Sequence, residues 1–390
     1  MDLIYLDHAA TTRPDARVVA AMQPYAAEFF GNPLSTHPFG EKPREAVAAA
    51  REHLAALLGA ASRELIFTSC GSEANNLAVK GTCFARADKG KHVVVSAIEH
   101  QSVLNAAQSM AKLGWEVSSV PVDCFGLVDP ADLKAALRPD TQLVCVNLAN
   151  LEIGTIEPVA ELVKVVRENS AAAFHADAVQ AVGHVPVDVN ALGVDTLSVS
   201  AHRFYGPKGA GALYFRKGVR LTPLIDGGVQ EGGRRAGTEN VPAIVGLGEA
   251  ARIARAEMGE RSARVRALRD RLHAGLFAAL PHLHLNGHPE MRLPTHESIC
   301  VNYVEGEAMI LFLLQEGVCT SSGSTCSSKA LKASHVLLAC RLEPALAQGS
   351  LQFTLGPDNT EAEIDRVVAV LPPIVKRLRA MSPIYPGDAA

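Results

Sequence analysis

The chain has 390 residues, room for roughly two to three domains at about 150 residues each. At 48% hydrophobic and 20% charged residues the composition is globular and excludes a disordered chain. With 37 Lys+Arg against 41 Asp+Glu, a formal net charge of -4, there is no electrostatic footprint for nucleic acid.

No apolar run reaches the ~18 residues of a membrane span, so no membrane partner is expected. The opening MDLIYLDHAATTRPDAR carries Asp2, Asp7 and Arg13 where an export signal needs an apolar stretch, which predicts a cytoplasmic protein. The eight cysteines, at 70, 83, 124, 145, 300, 319, 326 and 340, form no C-x-x-C pair. A disulfide scaffold and a zinc site are therefore poor readings, and no metal site is expected.

From about residue 60 to 240 short apolar runs alternate with longer amphipathic ones. Predicted strands are Leu65–Thr68, His92–Ser96, Glu116–Val120, Gln142–Asn147, Ala172–Ala176, Thr196–Ser200 and Gly211–Phe215. Between them lie predicted helices such as Glu73–Lys89, Gln101–Lys112 and Val159–Asn169. Nearly continuous apolar strands alternating with helices predict an α/β domain around a mostly parallel, doubly wound sheet. Beyond Gly233 the pattern changes: one or two long helices over Val241–Leu280, strand Ser298–Tyr303, helix Glu307–Glu316, a Ser-rich loop, strand Leu351–Thr354 and helix Thr360–Met381. The arginines at 261, 264, 266, 269 and 271 alternate with Glu257, Glu260 and Asp270, which reads as a solvated helix face rather than a basic patch.

Ligands of open α/β sheets bind beyond the carboxyl ends of the strands. After the first strand, Cys70-Gly71-Ser72-Glu73 is a small turn feeding a helix, an anion site or an ordinary helix cap. Later strand ends carry Glu99-His100, Asn150-Leu151-Glu152 and Asp177-Ala178-Val179-Gln180. An Asp directly after an apolar strand needs a cationic or hydrogen-bonding partner, and a protonated pyridine nitrogen is one. The segment from Ala201 to Gly211 is Gly-rich but has neither Walker nor dinucleotide spacing. Cys326, in Ser321-Ser322-Gly323-Ser324-Thr325-Cys326, sits in a polar loop, where a thiol beside basic groups could ionise and attack.

Taken together these motifs resemble the pyridoxal-phosphate-dependent cysteine desulfurases of the NifS/IscS type, of the class V aminotransferase fold. The resemblance runs from Tyr5-Leu6-Asp7-His8-Ala9-Ala10-Thr11-Thr12 and Gly31-Asn32-Pro33 through Arg234-Arg235-Ala236-Gly237-Thr238-Glu239-Asn240 to Ser334-His335-Val336. It implies three parts: an N-terminal segment over 1–15 packing with a small domain, a large cofactor-binding domain over 16–255, and a small C-terminal domain over 256–390 carrying Cys326. It implies that the cofactor phosphate lies on Gly71, Ser72, Ser200, His202 and Thr238 of a second subunit of a homodimer. His100 would stack on the pyridine ring, Asp177 would pair with its N–H⁺, and Gln180 would meet its hydroxyl. The implied activity converts L-cysteine to alanine, with sulfur taken by Cys326 as a persulfide for iron–sulfur assembly. A scaffold of the NifU/IscU type is an implied partner, with which Cys326 would hold a cluster transiently.

Three positions depart from that family's pattern. Arg203 stands where the Schiff-base lysine is expected; a guanidinium, with a pKa above about 12, is neither nucleophile nor base at neutral pH. Leu151 stands for a pocket Asn, and Pro357 for the arginine that binds the substrate carboxylate. Lys208 lies five residues beyond Arg203, at a place the family fills with a lysine of its own. The expectation is cofactor held non-covalently and altered chemistry. The alternative is a homologue serving as sulfur carrier or regulatory partner, or acting on another amine or acid.

Overall fold

The computed structural model describes residues 3–322 and 333–387. Its strands in chain order are β1 (Ile4–Tyr5), β2 (Leu65–Thr68), β3 (His92–Ser96), β4 (Glu116–Val120), β5 (Thr141–Cys145) and β6 (Ala173–Asp177). They continue with β7 (Thr196–Ser200), β8 (Gly211–Phe215), β9 (Leu283–Leu285), β10 (His296–Val301), β11 (Val318–Cys319) and β12 (Ser350–Thr354). A seven-stranded sheet has the order β2-β8-β7-β6-β5-β3-β4. All neighbours pair in parallel except β8, which is antiparallel to both β2 and β7. The link from Ser200 to Gly211 is too short for a crossover helix, so β8 must return antiparallel. Every strand of this sheet is fully buried except β4, whose partly exposed residues mark the edge.

The predicted α/β sheet is present, and five of its seven strands have the predicted bounds. β5 ends at Cys145 rather than Asn147, although Val146 N and Leu148 N still donate to His175 O and Asp177 O. β6 takes in Asp177, so this carboxylate closes the strand instead of following it. β10 starts at His296 and stops before Tyr303, where a φ of 69° turns the chain.

Two apolar clusters organise the rest. One packs the sheet against helices Pro38–Leu58, Val159–Asn169 and the first half of Val241–Ala279. The other joins Ile4, Leu6, Leu268, Leu272, Leu276, Phe353 and Leu371, around the three-stranded sheet β12-β10-β9. Val241–Ala279 is one continuous helix that contributes to both. The N-terminal strand β1 pairs with β11, so the start of the chain is tied to the second cluster. Glu361–Met381 starts on a capping box in which Thr360 and Glu363 satisfy each other's backbone amides, and it contains Pro372 and Pro373 in its interior.

Helix Val241–Ala279 packs tightly on Pro38–Leu58 at Gly248, where an added Cβ would lie 2.4 Å from Ala50 Cα. Gly248→Ala should therefore lower stability by about 1–3 kcal/mol through overpacking. Gly259→Ala, in the same helix with open space around it, should raise stability by up to about 1 kcal/mol. Urea midpoints of the two variants test this; similar shifts in the same direction would contradict it.

Candidate active site

The carboxyl ends of β2, β3, β5, β6 and β7 all open at one edge of the sheet and line a cavity of about 320 Å³. The opposite wall comes from Asp7, Ala9 and Ala10 of the N-terminal segment and from Gln352 on β12. Of the residues singled out in the sequence, Gly71, Ser72, His100, Leu151, Asp177, Gln180, Ser200, His202 and Arg203 line this cavity.

The others do not. Thr238 is exposed on this chain and does not line the cavity. Pro357 lines a separate, water-sized hollow with His184 and Tyr205. Lys208 is exposed, and among the described lining residues there is no lysine. Cys326 lies outside the described residues, but Ser322 before it and Ser334 after it both line the cavity.

Asp177 is held by the backbone N–H of Val179 at 2.9 Å and by Asn75 Nδ2 at 2.7 Å, and its remaining lone pairs are free to face the cavity. Asn75 is fixed in turn, because its Oδ1 accepts from Ser198 Oγ and His175 Nε2. The same Asn75 amide donates to Ser102 Oγ at 2.8 Å. Ser102 then turns its hydroxyl proton to His100 Nδ1 at 2.7 Å, and the Ser102 backbone N–H also donates to Nδ1 at 3.1 Å. Both donors place the lone pair on Nδ1, so the neutral ring carries its proton on Nε2. Asn75 thus sets the orientation of Asp177 and the tautomer of His100 together. Sequence reading assigned neither Asn75 nor Ser102 a role; the only signal was their spacing from Gly71 and His100.

The cradle at β2 begins at Cys70, whose thiol caps the helix Gly71–Asn76 by accepting from Glu73 N. That helix continues through a π turn, Leu77–Gly81, into Thr82–Arg86. A Cβ on Gly71 would lie 2.7 Å from Val179 Cγ2 and 3.3 Å from Ser200 Cβ, so glycine keeps this approach open. Ser200 Oγ is buried there with no hydrogen-bond partner. Gln180 Nε2 is engaged at Ala9 O, and His202 Nδ1 meets Thr11 Oγ1 at 3.1 Å, tying the N-terminal segment to the site. Leu151 presents its carbonyl to His296 Nε2 and Gln352 Nε2.

Burial governs the protonation of the site. His202 is pushed down to about 4 by burial, with Arg203 and Lys208 adding to the effect. His100 is lowered by burial, opposed by Asp177 and reinforced by Arg203 and His335. Both rings are neutral at pH 7. Glu99 is completely buried; desolvation, then the charge of Asp177, raises it to about 8, although Asn147 donates to its Oε1. Glu152, bonded by Ser334 Oγ, is raised to about 7 by burial.

A carboxylate with spare lone pairs, a buried hydroxyl beside a helix start and a histidine of fixed tautomer suit a phosphorylated, protonated heteroaromatic cofactor. These features define the pyridoxal-phosphate type of α/β enzyme. The description Aminotransferase class-V matches residues 4–367, and the chain belongs to that family. It is 49% identical to a cysteine desulfurase IscS of Methanosarcina thermophila over 385 residues, 99% of this chain and 95% of that one. It is 50% identical to a cysteine desulfurase IscS of Dictyoglomus turgidum over 97% of this chain and 96% of that one. Among solved structures, a NifS-like protein superposes with a TM-score of 0.91 at 36% identity, covering 96% of this chain and 100% of that one.

The family implies pyridoxal phosphate as cofactor. The residues fit its phosphate and ring: Ser200 Oγ lacks a partner, Gly71 leaves room, and Asp177 can take the ring N–H⁺. Among the described lining residues the cavity also offers the Arg203 guanidinium and no lysine amine.

In the folded chain Glu99 keeps its proton up to about pH 8, while unfolded it ionises near 4.5. Between these values unfolding releases a proton, so stability falls as pH rises, by at most about 1.4 kcal/mol per unit for this group. Glu99→Gln should match the parent near pH 5 and exceed it increasingly towards pH 8 in urea titrations. A difference independent of pH would contradict a protonated Glu99.

Proposed function

We propose that this chain is a cysteine desulfurase that holds pyridoxal phosphate without a covalent anchor and passes the sulfur of L-cysteine to Cys326. The observation carrying the reading is Asp177, fixed at the sheet edge by Val179 and Asn75 with lone pairs free for a ring N–H⁺. Full-length similarity to cysteine desulfurases supports the substrate. When bound, the cofactor supplies an electron sink for the pair left as L-cysteine loses its Cα proton.

The chain's own groups do the rest. Asp177 keeps the ring nitrogen protonated; Ser200, Ser72 and Gly71 hold the phosphate, joined by Thr238 of a second copy in a homodimer. His100, which keeps a proton at Nε2, would stack on the ring. Cys326 is four residues from the cavity-lining Ser322, a tether of at most about 14 Å. In the net reaction L-cysteine and the Cys326 thiol give alanine and the Cys326 persulfide, with no external oxidant. A scaffold of the NifU/IscU type would take the sulfur onward. Because Arg203 cannot shuttle the Cα proton, the rate should fall about 10²- to 10⁴-fold below that of an enzyme with lysine there.

Borohydride treatment of the cofactor-loaded protein should leave its intact mass unchanged, and dialysis should strip the cofactor. Arg203→Lys should retain cofactor through dialysis and gain its mass on reduction. Trapping of cofactor on the parent chain would overturn the non-covalent reading. Alanine release from L-cysteine should disappear in Cys326→Ala. A Cys326 persulfide that forms only when a second desulfurase is supplied would make the chain a carrier instead.

A further inference from the structure

An amino-acid substrate brings a carboxylate into a cavity that already holds anionic groups. Asp7 and Asp177 line it directly. A second anion needs a fixed cation, and His100 and His202 do not provide it, since burial lowers both rings. Among the described lining residues Arg203 is the one side chain with a permanent positive charge. Position 357, a proline, faces the separate hollow behind Tyr205.

We propose that Arg203 is the specificity-determining residue of this pocket, its guanidinium binding the α-carboxylate of the amino-acid substrate. This rests on the reading that the pocket takes an amino acid. Arg203 is well placed for the task. It follows His202 in the short turn Ala201–Arg203 after β7, and its carbonyl accepts from His184 Nε2 at 2.8 Å, which pins the backbone beneath the side chain. One competing anion is Asp7, whose carboxyl is hydrogen-bonded by Ser321 and also feels the charge of Arg203. A planar fork can bind a carboxylate through two parallel N–H···O bonds, giving orientation as well as affinity. The substitution at 203 therefore removes an amine and supplies a carboxylate receptor at one site.

The test compares ligands with and without the carboxylate. L-Alanine and ethylamine are titrated into the full-length protein, with and without pyridoxal phosphate, by calorimetry. The parent should prefer L-alanine. Arg203→Met and Arg203→Gln, each checked for folding by circular dichroism, should weaken L-alanine about 10- to 100-fold and leave ethylamine unchanged, the size of a lost charge-assisted pair. Their affinity for pyridoxal phosphate, measured separately by equilibrium dialysis, should stay within about twofold. Unchanged preference for L-alanine in both variants, or no preference in the parent, overturns the proposal. So does loss of pyridoxal phosphate affinity with L-alanine binding intact, which would make Arg203 a cofactor ligand. Failure of the parent to bind pyridoxal phosphate would sink the desulfurase reading alone, because the cofactor-free titration still reports on Arg203.

Discussion

The site depends on the cost of burying the Asp177 carboxylate at the end of a central strand. An ionised carboxylate taken from water is tolerated only when donors replace its hydration. The Val179 amide and Asn75 supply part of that replacement, and a cationic ring nitrogen would supply the rest. Asn75 could not serve Asp177 without being locked, and Ser198 and His175 on neighbouring strands lock it. The network reaches Ser102 and through it His100. A change at any member is therefore felt both at Asp177 and at His100. Glu99 belongs to the same balance: burial, reinforced by the charge of Asp177, keeps it protonated at neutral pH.

Much of this was legible beforehand because buried parallel strands advertise themselves. Runs such as Val93–Val95 leave no reading other than a strand covered on both faces, and ligand residues follow strand ends by topology. That logic located Gly71, His100 and Asp177 together, while Ser200 came from the family resemblance. The helix Pro38–Leu58 was not read, since Gly40 and Pro43 near its start look like breakers, yet tertiary packing buries both. Asn75 and Ser102 were missed for a different reason. Their roles rest on hydrogen bonds spanning 27 and 102 positions in the chain, which no local pattern encodes. The placing of Pro357 behind Tyr205 is likewise a matter of tertiary packing.

Replacing lysine by arginine at 203 changes the neighbourhood as well as the chemistry. A lysine beside an aldehyde is consumed as a neutral amine; a guanidinium stays charged and acts on every titratable group around it. Its charge depresses His100, His184, His202 and His296, on top of the burial that dominates each shift. Among the described lining residues the permanent positive charge is thus one fixed fork, beside His100 and His202 rings that burial keeps neutral. Such an arrangement favours a ligand with one well-defined anionic end, and it leaves His100 Nε2–H as a proton donor rather than a base. Pro357 lines a separate hollow, whereas the Arg203 cation lines the cavity at the strand ends.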